Sequence, residues 1–585
     1  MSSQQSAASG SSIAGAVEGL DELIGKALAE WHVPGAAIAI VRGDEPPLLR
    51  AYGQRDPQAG LAVTTATQFL ICSITKSFTA TALAVLADEG LIDWTRPARE
   101  YLPEFSLHDA AVTERITVRD LLCHHSGLPR HDWIWMAGDL SSSGMLAAMR
   151  HLEPSRDLRD TWQYSNLGYH VAGLVLERVS GMSYGDFVRA KLTDRLHMKV
   201  SFSTEELAAA PDFAVPHVID VETPVRVGNF PIRTVAAGAI NMSIADIANW
   251  MRLHLGDGKF EGAQLVSAVR MRELRQPRAF VSTSQDAEYG DHHYGLGLQT
   301  TTYRGDRAVS HSGGWIGWST LMTFLPGRGV GVAMFTNRSP NPVATIATNF
   351  VFDRLCGRDP VQWFDRLAAE RREFVAKIDK DKQAREKVRH ADTAPSHALD
   401  DYVGDYEHAA YGRMTIALKD AALHWSWRGM AAPLSHWHYD TFRLPEVVDR
   451  LLPDNLAVTF TTDRDGNIAS LAAPLEPMVR DIVFTRCAAG ECLDPAFRKQ
   501  CVGVFRGGAV THRVSLDATG QLLLKPDYQP AYRLAPHQGR AFRIVELEGY
   551  RVEFKRGADG AVNELIFHQP NGVFFAQRIA ASKDA

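Results

Sequence analysis

This chain is poor in the features that would commit it to a membrane or to nucleic acid. No uninterrupted apolar run approaches the roughly 18 residues that a membrane-spanning helix needs, so no span is expected. A formal charge of −6 spread over 585 residues is small, and no dense basic stripe interrupts it, which argues against nucleic acid as a partner. Cysteines stand only at positions 72, 123, 356, 487, 492 and 501, too few and too scattered for a disulfide framework. Cys72 reads as a small buried packing residue. The first ten residues have neither the basic nor the apolar region of a secretory signal. They read as a disordered tail, and the cytoplasm is the expected compartment. Asp291-His292-His293 has no further ligand at zinc-like spacing, so neither a metal nor another cofactor is expected.

What the chain does have begins at Ser73-Ile74-Thr75-Lys76, directly before a helical pattern from Phe78 to Glu89. At i and i+3 on a helix a hydroxyl and an amine share one face within hydrogen-bond reach. Serine is a weak nucleophile at neutral pH, and an adjacent amine that takes its proton activates it. The helix N-terminus adds backbone N–H groups suited to a developing oxyanion. Taken alone, the same four residues also describe a helix-capping serine followed by a solvated lysine. Two later stretches change that reading. Tyr164-Ser165-Asn166 offers a phenol and an amide, and His311-Ser312-Gly313-Gly314 precedes two apolar runs, Ser319–Leu325 and Val330–Thr336, joined by Pro326-Gly327-Arg328-Gly329.

In these three ordered motifs the sequence resembles the serine β-lactamase and penicillin-binding-protein superfamily, and within it the class C β-lactamase, D-aminopeptidase and esterase branch with its S-x-x-K, Y-x-N and K/H-x-G motifs. Ile116 to Pro129, Ala237 to Ser243 with Asp246, and Tyr294-Gly295-Leu296-Gly297 also match that superfamily. The resemblance covers about residues 15 to 355. It implies an acyl-enzyme mechanism with Ser73 as nucleophile and an oxyanion hole formed by the N–H groups of Ser73 and Gly314. On chemical grounds Lys76 is the base, Tyr164 relays a proton to the leaving group, and Asn166 lowers the lysine pKa together with burial. Gly313 and Gly314 suit a strand that lets substrate backbone approach closely, and Ser312 and Gly313 are candidates for binding substrate.

One departure has consequences. His311 stands where β-lactamases and carboxypeptidases of the superfamily usually carry lysine. A histidine is mostly neutral near pH 7. A standing phenolate at Tyr164 is therefore disfavoured, and a substrate carboxylate loses a permanently charged partner. This leans toward aminopeptidase, amidase or esterase chemistry on a small-molecule or peptide substrate, including substrates with D-residues. Asp132, in the Leu128-Pro129-Arg130-His131-Asp132-Trp133 loop, is a candidate for holding a substrate ammonium, against the plainer reading of a turn-forming aspartate. An inactive binding or scaffold protein is the competing class. A scaffold has no need of Ser73, Lys76 and Tyr164 together.

A length of 585 residues predicts about two to four domains, and 45% apolar with 22% charged residues is ordinary for a globular protein. Apolar positions between Ala14 and Trp31 have helical spacing. Gly35–Val41 and Leu48–Tyr52 read as strands, and the strands after His311 complete a sheet built from both chain ends. From Trp363 to His397 the chain is strongly charged and reads as a helical connector. Beyond it a strand-rich region repeats: Tyr402 to Tyr406 is echoed by Cys501 to Phe505, Thr441 to Leu444 by Ala541 to Ile544, and Asp465-Gly466 and Asp559-Gly560 are hairpin-type turns. Trp425 and Trp427 alternate as core residues do. The expected fold class is α+β, a β-lactamase-like domain with an antiparallel sheet flanked by helices, followed by two small antiparallel lipocalin-like β-barrels. The expected segments are a tail over 1–13, the catalytic domain over 14–362, the linker over 363–397, and barrels over 398–488 and 494–580. A homo-oligomer is compatible with this layout.

Overall fold

A computed structural model describes residues 12–136, 139–220, 223–228, 230–445, 456–464, 466–557 and 559–579. They fall into two compact units. One runs to Arg389 and includes Ala409–Tyr411 and Leu475–Asp481, and the other takes the remaining residues from His390 onward. Of the tail expected over 1–13, residues 1–11 lie outside the described residues, while Ile13 opens a short helix and is buried.

The first unit is built on a nine-stranded antiparallel sheet. Its strands are β1 (Gly35–Arg42), β2 (Leu48–Asp56), β3 (Leu61–Ala62), β4 (Ala279–Ser282), β5 (His292–Tyr294), β6 (Gln299–Tyr303), β7 (Asp306–Trp315), β8 (Trp318–Leu325) and β9 (Val330–Thr336), in the order β4-β5-β6-β7-β8-β9-β1-β2-β3. The two chain ends meet where β1 pairs with β9, Ala36 opposite Thr336 and Arg42 opposite Val330. Three strands, β4 to β6, precede His311 and extend the sheet beyond the strands expected from the sequence. They are short and mixed in polarity, which hides their period.

Helices α1 (Leu20–Glu30), α2 (Thr75–Asp88), α3 (Asn166–Ser180), α4 (Ile244–Leu255), α5 (Val343–Leu355) and α6 (Trp363–Lys387) surround this sheet. The helical stretch expected from Ala14 to Trp31 is broken by Gly19, which takes a left-handed φ of 87° and separates Ile13–Ala16 from α1. Side chains alternate across a strand, so β1 feeds two cores. Ala36, Ile38 and Ile40 join Val332, Met334, Ile24 of α1 and Phe352 of α5 on one face. On the other, Val41 and Met251 of α4 converge on Gly331.

Helix α2 is buried from Thr75 to Ala87. Its Phe78 ring stacks on Trp250 of α4 at 3.7 Å. Its hydroxyls are satisfied internally: Thr81 donates to the Ser77 carbonyl, and Ser77 Oγ donates to the Ile74 carbonyl while accepting from Trp250 Nε1. This is how a helix carrying four hydroxyl residues can sit in an apolar core. By contrast α6, 25 residues long, is mostly exposed beyond Ala368, as its charge pattern requires.

In the second unit, nine strands between Gly404 and Arg486 form a barrel-shaped antiparallel sheet whose end strands, Met430–Pro433 and Ser435–His438, are not paired with each other. Eight strands from Gly503 to Ile579 close fully into a barrel. The echoed segments occupy equivalent places. Tyr402 and Cys501 end short helices, Leu399–Tyr402 and Pro495–Cys501, and Tyr406 and Phe505 lie on the strands that follow. All four are fully buried. Trp425 and Trp427 fill the nine-stranded core, whereas Trp437 is half-buried. Of the two expected hairpin turns, Asp465 lies outside the described residues. No helix among the described residues is long and apolar enough to cross a membrane.

Truncating the stacked aromatic of α2 tests how far the helix depends on this packing. Phe78→Ala is expected to destabilise the first unit by about 3–5 kcal/mol, read as a lowered denaturant midpoint by tryptophan fluorescence. A loss below about 1 kcal/mol would contradict a tightly packed α2.

Candidate active site

Ser73 does not sit inside α2 but in the single 3-10 turn Cys72–Ile74 that leads into it. Cys72 is held at a left-handed φ of 51°, unusual for a residue with a side chain. The turn is clamped from both sides. Ile71 donates its N–H to the Ile240 carbonyl, and its own carbonyl accepts from Thr320 Oγ1 at 2.9 Å. On β7, Gly313 lies against this carbonyl: a Cβ there would collide with Ile71 O, with Thr320 Oγ1 and with the Cys72 side chain. The strand alternates, so His311 and Gly313 face inward while Ser312 and Gly314 are exposed.

Lys76 follows one turn later and is fully buried. Its Nζ lies 3.0 Å from Ser73 Oγ, 2.8 Å from Asn166 Oδ1 and 2.8 Å from the Ala237 carbonyl. Two of these neighbours are carbonyl oxygens that can only accept. A neutral amine satisfies both with its two N–H bonds and turns its lone pair toward the serine hydroxyl. Burial, reinforced by the Arg130 guanidinium and opposed by the Asp132 carboxylate, holds the Lys76 pKa well below the ordinary lysine value.

Tyr164 donates its phenolic hydrogen to Ser73 Oγ at 2.9 Å. Burial raises its pKa despite the Ser73 bond and the nearby Arg130, so it is a neutral phenol. Its position comes from Ser165, which caps α3 through Gly168 N–H, and from His124. The His124 carbonyl accepts from Gln163 N–H, and its Nδ1 accepts from Ser165 N–H at 3.1 Å. The His124 ring lies 4.4 Å from that of Tyr164 and 4.6 Å from that of Tyr294. Burial keeps His124 neutral.

The fold thus brings Ser73, Lys76, Tyr164 and Asn166 together. His311 stands behind them. Its Nδ1 donates to the Ser312 carbonyl at 2.7 Å, which leaves Nε2 to accept from Tyr294 OH at 2.8 Å. Burial and the neighbouring Lys76 lower its pKa to about 3. Its hydrogen bonds therefore run to the wall and not to Ser73, Lys76 or Tyr164. Asp132, the candidate for a substrate ammonium, is occupied by its own chain: Oδ1 accepts from Asn166 Nδ2 and Trp135 Nε1, and Oδ2 accepts from Arg130 Nε. Three donors of its own chain thus already occupy this carboxylate, which has about four acceptor sites. His124, Arg130, Tyr294 and the Ala237 carbonyl were not singled out from the sequence. His124, Tyr294 and Ala237 lie inside stretches that carry the family resemblance and Arg130 directly follows one, and only the tertiary contacts distinguish them from filler.

A serine, a buried amine and a phenol on a helix-flanked antiparallel sheet define a β-lactamase-type site. The chain belongs to the Beta-lactamase family, whose profile matches residues 20–354. A domain of unknown function, DUF3471, matches residues 388–486. Among curated proteins, an unguisins hydrolase of Aspergillus campestris is 28% identical over 68% of this chain and 76% of its own length. Penicillin-binding protein 4 of Amycolatopsis lactamdurans is 29% identical over 55% of this chain and 84% of its own. Among solved structures, the octameric penicillin-binding protein homologue from Pyrococcus abyssi shares the fold with a TM-score of 0.53 at 22% identity, covering 80% of this chain and all of that one.

The two glycines of β7 are expected to differ sharply on substitution. Gly313→Ala forces a Cβ into the Ile71 carbonyl and should cost about 1–3 kcal/mol of stability. Gly314→Ala meets no heavy atom within 4 Å and should stay within about 0.5 kcal/mol. Thermal unfolding of the two variants side by side checks this, and equal losses would contradict the close contact of β7 with the Ser73 turn.

Proposed function

We propose that this chain is a serine hydrolase that works through an acyl-enzyme on amide or peptide bonds, in small peptides or substrates containing D-residues. One observation carries the reading: Ser73 Oγ lies within hydrogen-bond distance of both an amine and a phenol, Lys76 Nζ at 3.0 Å and Tyr164 OH at 2.9 Å. Ser73 Oγ attacks the carbonyl carbon and passes its proton to the neutral Lys76 amine. As the C–N bond breaks, a proton reaches the leaving nitrogen through the Tyr164 hydroxyl, which is refilled from the Lys76 ammonium. Water then attacks the acyl carbon, the bond to Oγ breaks, and Ser73 regains its proton.

Asn166 holds the amine in place, and His311 backs the wall as a neutral group. The N–H groups of Ser73 and Gly314 receive the oxyanion, each such donor contributing about 3 kcal/mol. Ser312, Gly313 and Gly314 supply the strand along which substrate lies. An amide is favoured over an ester because a departing amine must be protonated, and the phenol on Ser73 Oγ is placed to do that. The hydrolase among the relatives supports hydrolysis as the outcome.

Incubation with a fluorophosphonate or a penicillin should add a covalent mass to the peptide containing Ser73. Lys76→Ala and Tyr164→Phe should each slow that labelling by about 10²–10⁴-fold. Absence of any adduct under all conditions would favour a scaffold. D- and L-aminoacyl anilides assayed beside short acyl esters then separate amidase from esterase, and faster turnover of the esters by kcat/KM would overturn the amide assignment.

The pH dependence has a definite sign. The base form of Lys76 is present above its pKa, which lies well below the ordinary lysine value, so the acid limb of labelling should lie well below the pH at which an exposed lysine loses its proton. His311, neutral above about pH 3, should contribute no inflection between pH 5 and 8. His311→Gln is expected to keep the shape of the profile in that range. Loss of an inflection in His311→Gln would identify His311 as the titrating group.

A further inference from the structure

The reading above makes Lys76 the base, and a base must be unprotonated when substrate arrives. A second cation stands beside it. The Tyr164 ring has Lys76 Nζ 4.9 Å from its centroid and the Arg130 guanidinium carbon 5.0 Å from the same centroid. Arginine does not give up its proton in proteins, whereas a buried lysine does so readily. Of two positive charges sharing one ring, lysine is the one that yields.

Arg130 is held for this purpose. Its Nε donates to Asp132 Oδ2 at 2.6 Å, Asp132 Oδ1 accepts from Asn166 Nδ2 at 2.9 Å, and Asn166 Oδ1 accepts from Lys76 Nζ at 2.8 Å. An unbroken chain of hydrogen bonds therefore links the guanidinium to the nucleophile. Among the described residues the two terminal nitrogens of Arg130 have no hydrogen-bond partner, and the side chain is 53% exposed. Between Arg130 and Asp132, His131 pins the loop. Its N–H donates to Glu476 Oε2, its Nε2 donates to the Glu153 carbonyl, and its Nδ1 accepts from Tyr411 OH. Glu476 and Tyr411 belong to the same compact unit as the site.

The other groups around Lys76 carry no fixed charge. The Cys72 thiol, from the turn before α2, is kept protonated by burial. The phenols of Tyr164, just before α3, and of Tyr169 on α3 are neutral. His124 from the 116–129 stretch and His311 on β7 are neutral through burial. Ser73, Asn166 and the Ala237 carbonyl are uncharged. That leaves Arg130 and Asp132, of opposite sign and on one loop.

We infer that Arg130, clamped by Asp132 over the Tyr164 ring, is the permanent positive charge of this site and a positioning residue for the proton relay, keeping Lys76 in its neutral, proton-accepting form. This rests on the assignment of Lys76 as base. The two charges of the loop act on the amine in opposite senses: the guanidinium disfavours the ammonium and the carboxylate favours it. Neutralising each one should therefore move the acid limb of Ser73 acylation in opposite directions, a pattern that loosened packing does not produce.

The test is the rate of Ser73 labelling by a neutral fluorophosphonate from pH 5 to 10 in the full chain. Arg130→Gln is expected to move the half-maximal pH upward by about one unit. Arg130→Lys should keep it within about 0.3 unit of the parent, since the charge is retained. Asp132→Asn should move it downward. An unmoved limb in Arg130→Gln, a shift of the same sign in Arg130→Gln and Asp132→Asn, or a uniform drop at every pH would each overturn the inference. So would an effect of Arg130→Gln confined to the KM for an anionic probe such as benzylpenicillin, which would make Arg130 a substrate-carboxylate contact instead. If the parent chain is not labelled at Ser73 at all, the hydrolase reading falls first. Labelling with a limb that ignores Arg130 sinks only the present inference.

Discussion

An amine without water is the condition on which the rest of this site is arranged. Lys76 is fully buried, and the atoms within hydrogen-bond distance of its Nζ are two carbonyl oxygens and one hydroxyl, with no carboxylate among them. An ammonium in that position would lose its hydration with no opposite charge in contact, a cost of several kcal/mol. A neutral amine matches the two carbonyls with two N–H bonds and leaves a lone pair for Ser73. Burial of α2 and the neutral form of the Lys76 amine are thus two sides of one physical constraint. A more exposed helix would leave the lysine protonated.

Burial of that kind requires a scaffold that does not yield around the nucleophile. The Ser73 turn is fixed by β7 and β8 on one side, through Gly313 and Thr320 against the Ile71 carbonyl. On the other side it is fixed by the 236–242 stretch, where Ile240 N–H bonds to Thr75 Oγ1 and Ala237 supplies a carbonyl to Lys76. Under these constraints Cys72 keeps its left-handed backbone, a conformation that persists only where surroundings over-determine it. The same close approach explains why His311 and Gly313 turn inward while Ser312 and Gly314 are exposed.

Legibility in the sequence followed the range of the interactions. Ser73 and Lys76 are visible because their spacing lets one helical turn join them, and Tyr164 and Asn166 only as the second of three ordered motifs. Strands β1, β8 and β9 announce themselves by apolar runs covered on both faces. Strands β4 to β6 do not, since they lie toward a sheet edge and carry polar residues such as His292, His293 and Thr300. The tandem barrels were legible through their echoed helix-to-strand junctions, but nothing local distinguishes the sheet that closes from the one that stops short. Arg130, His124 and the Ala237 carbonyl were hidden for a different reason. Each acts only through contacts to residues distant in sequence, and neither composition nor period records those.

Asp132 shows how a residue without contact to Ser73 can still determine the chemistry there. The amide of Asn166 has one face that donates and one that accepts, and Lys76 needs the accepting face. Asp132 as a carboxylate can only accept, so Asn166 must offer it Nδ2 and is left with Oδ1 for the amine. Reversing the amide would set N–H groups against the lysine N–H bonds and oxygen against oxygen at Asp132, losing both interactions. The same carboxylate fixes the guanidinium through Oδ2. One acidic side chain thus orients the amide that receives the lysine and anchors the guanidinium that shares the Tyr164 ring with it. Its own negative charge opposes that of the guanidinium, so the two charges of the loop act on the amine in opposite senses.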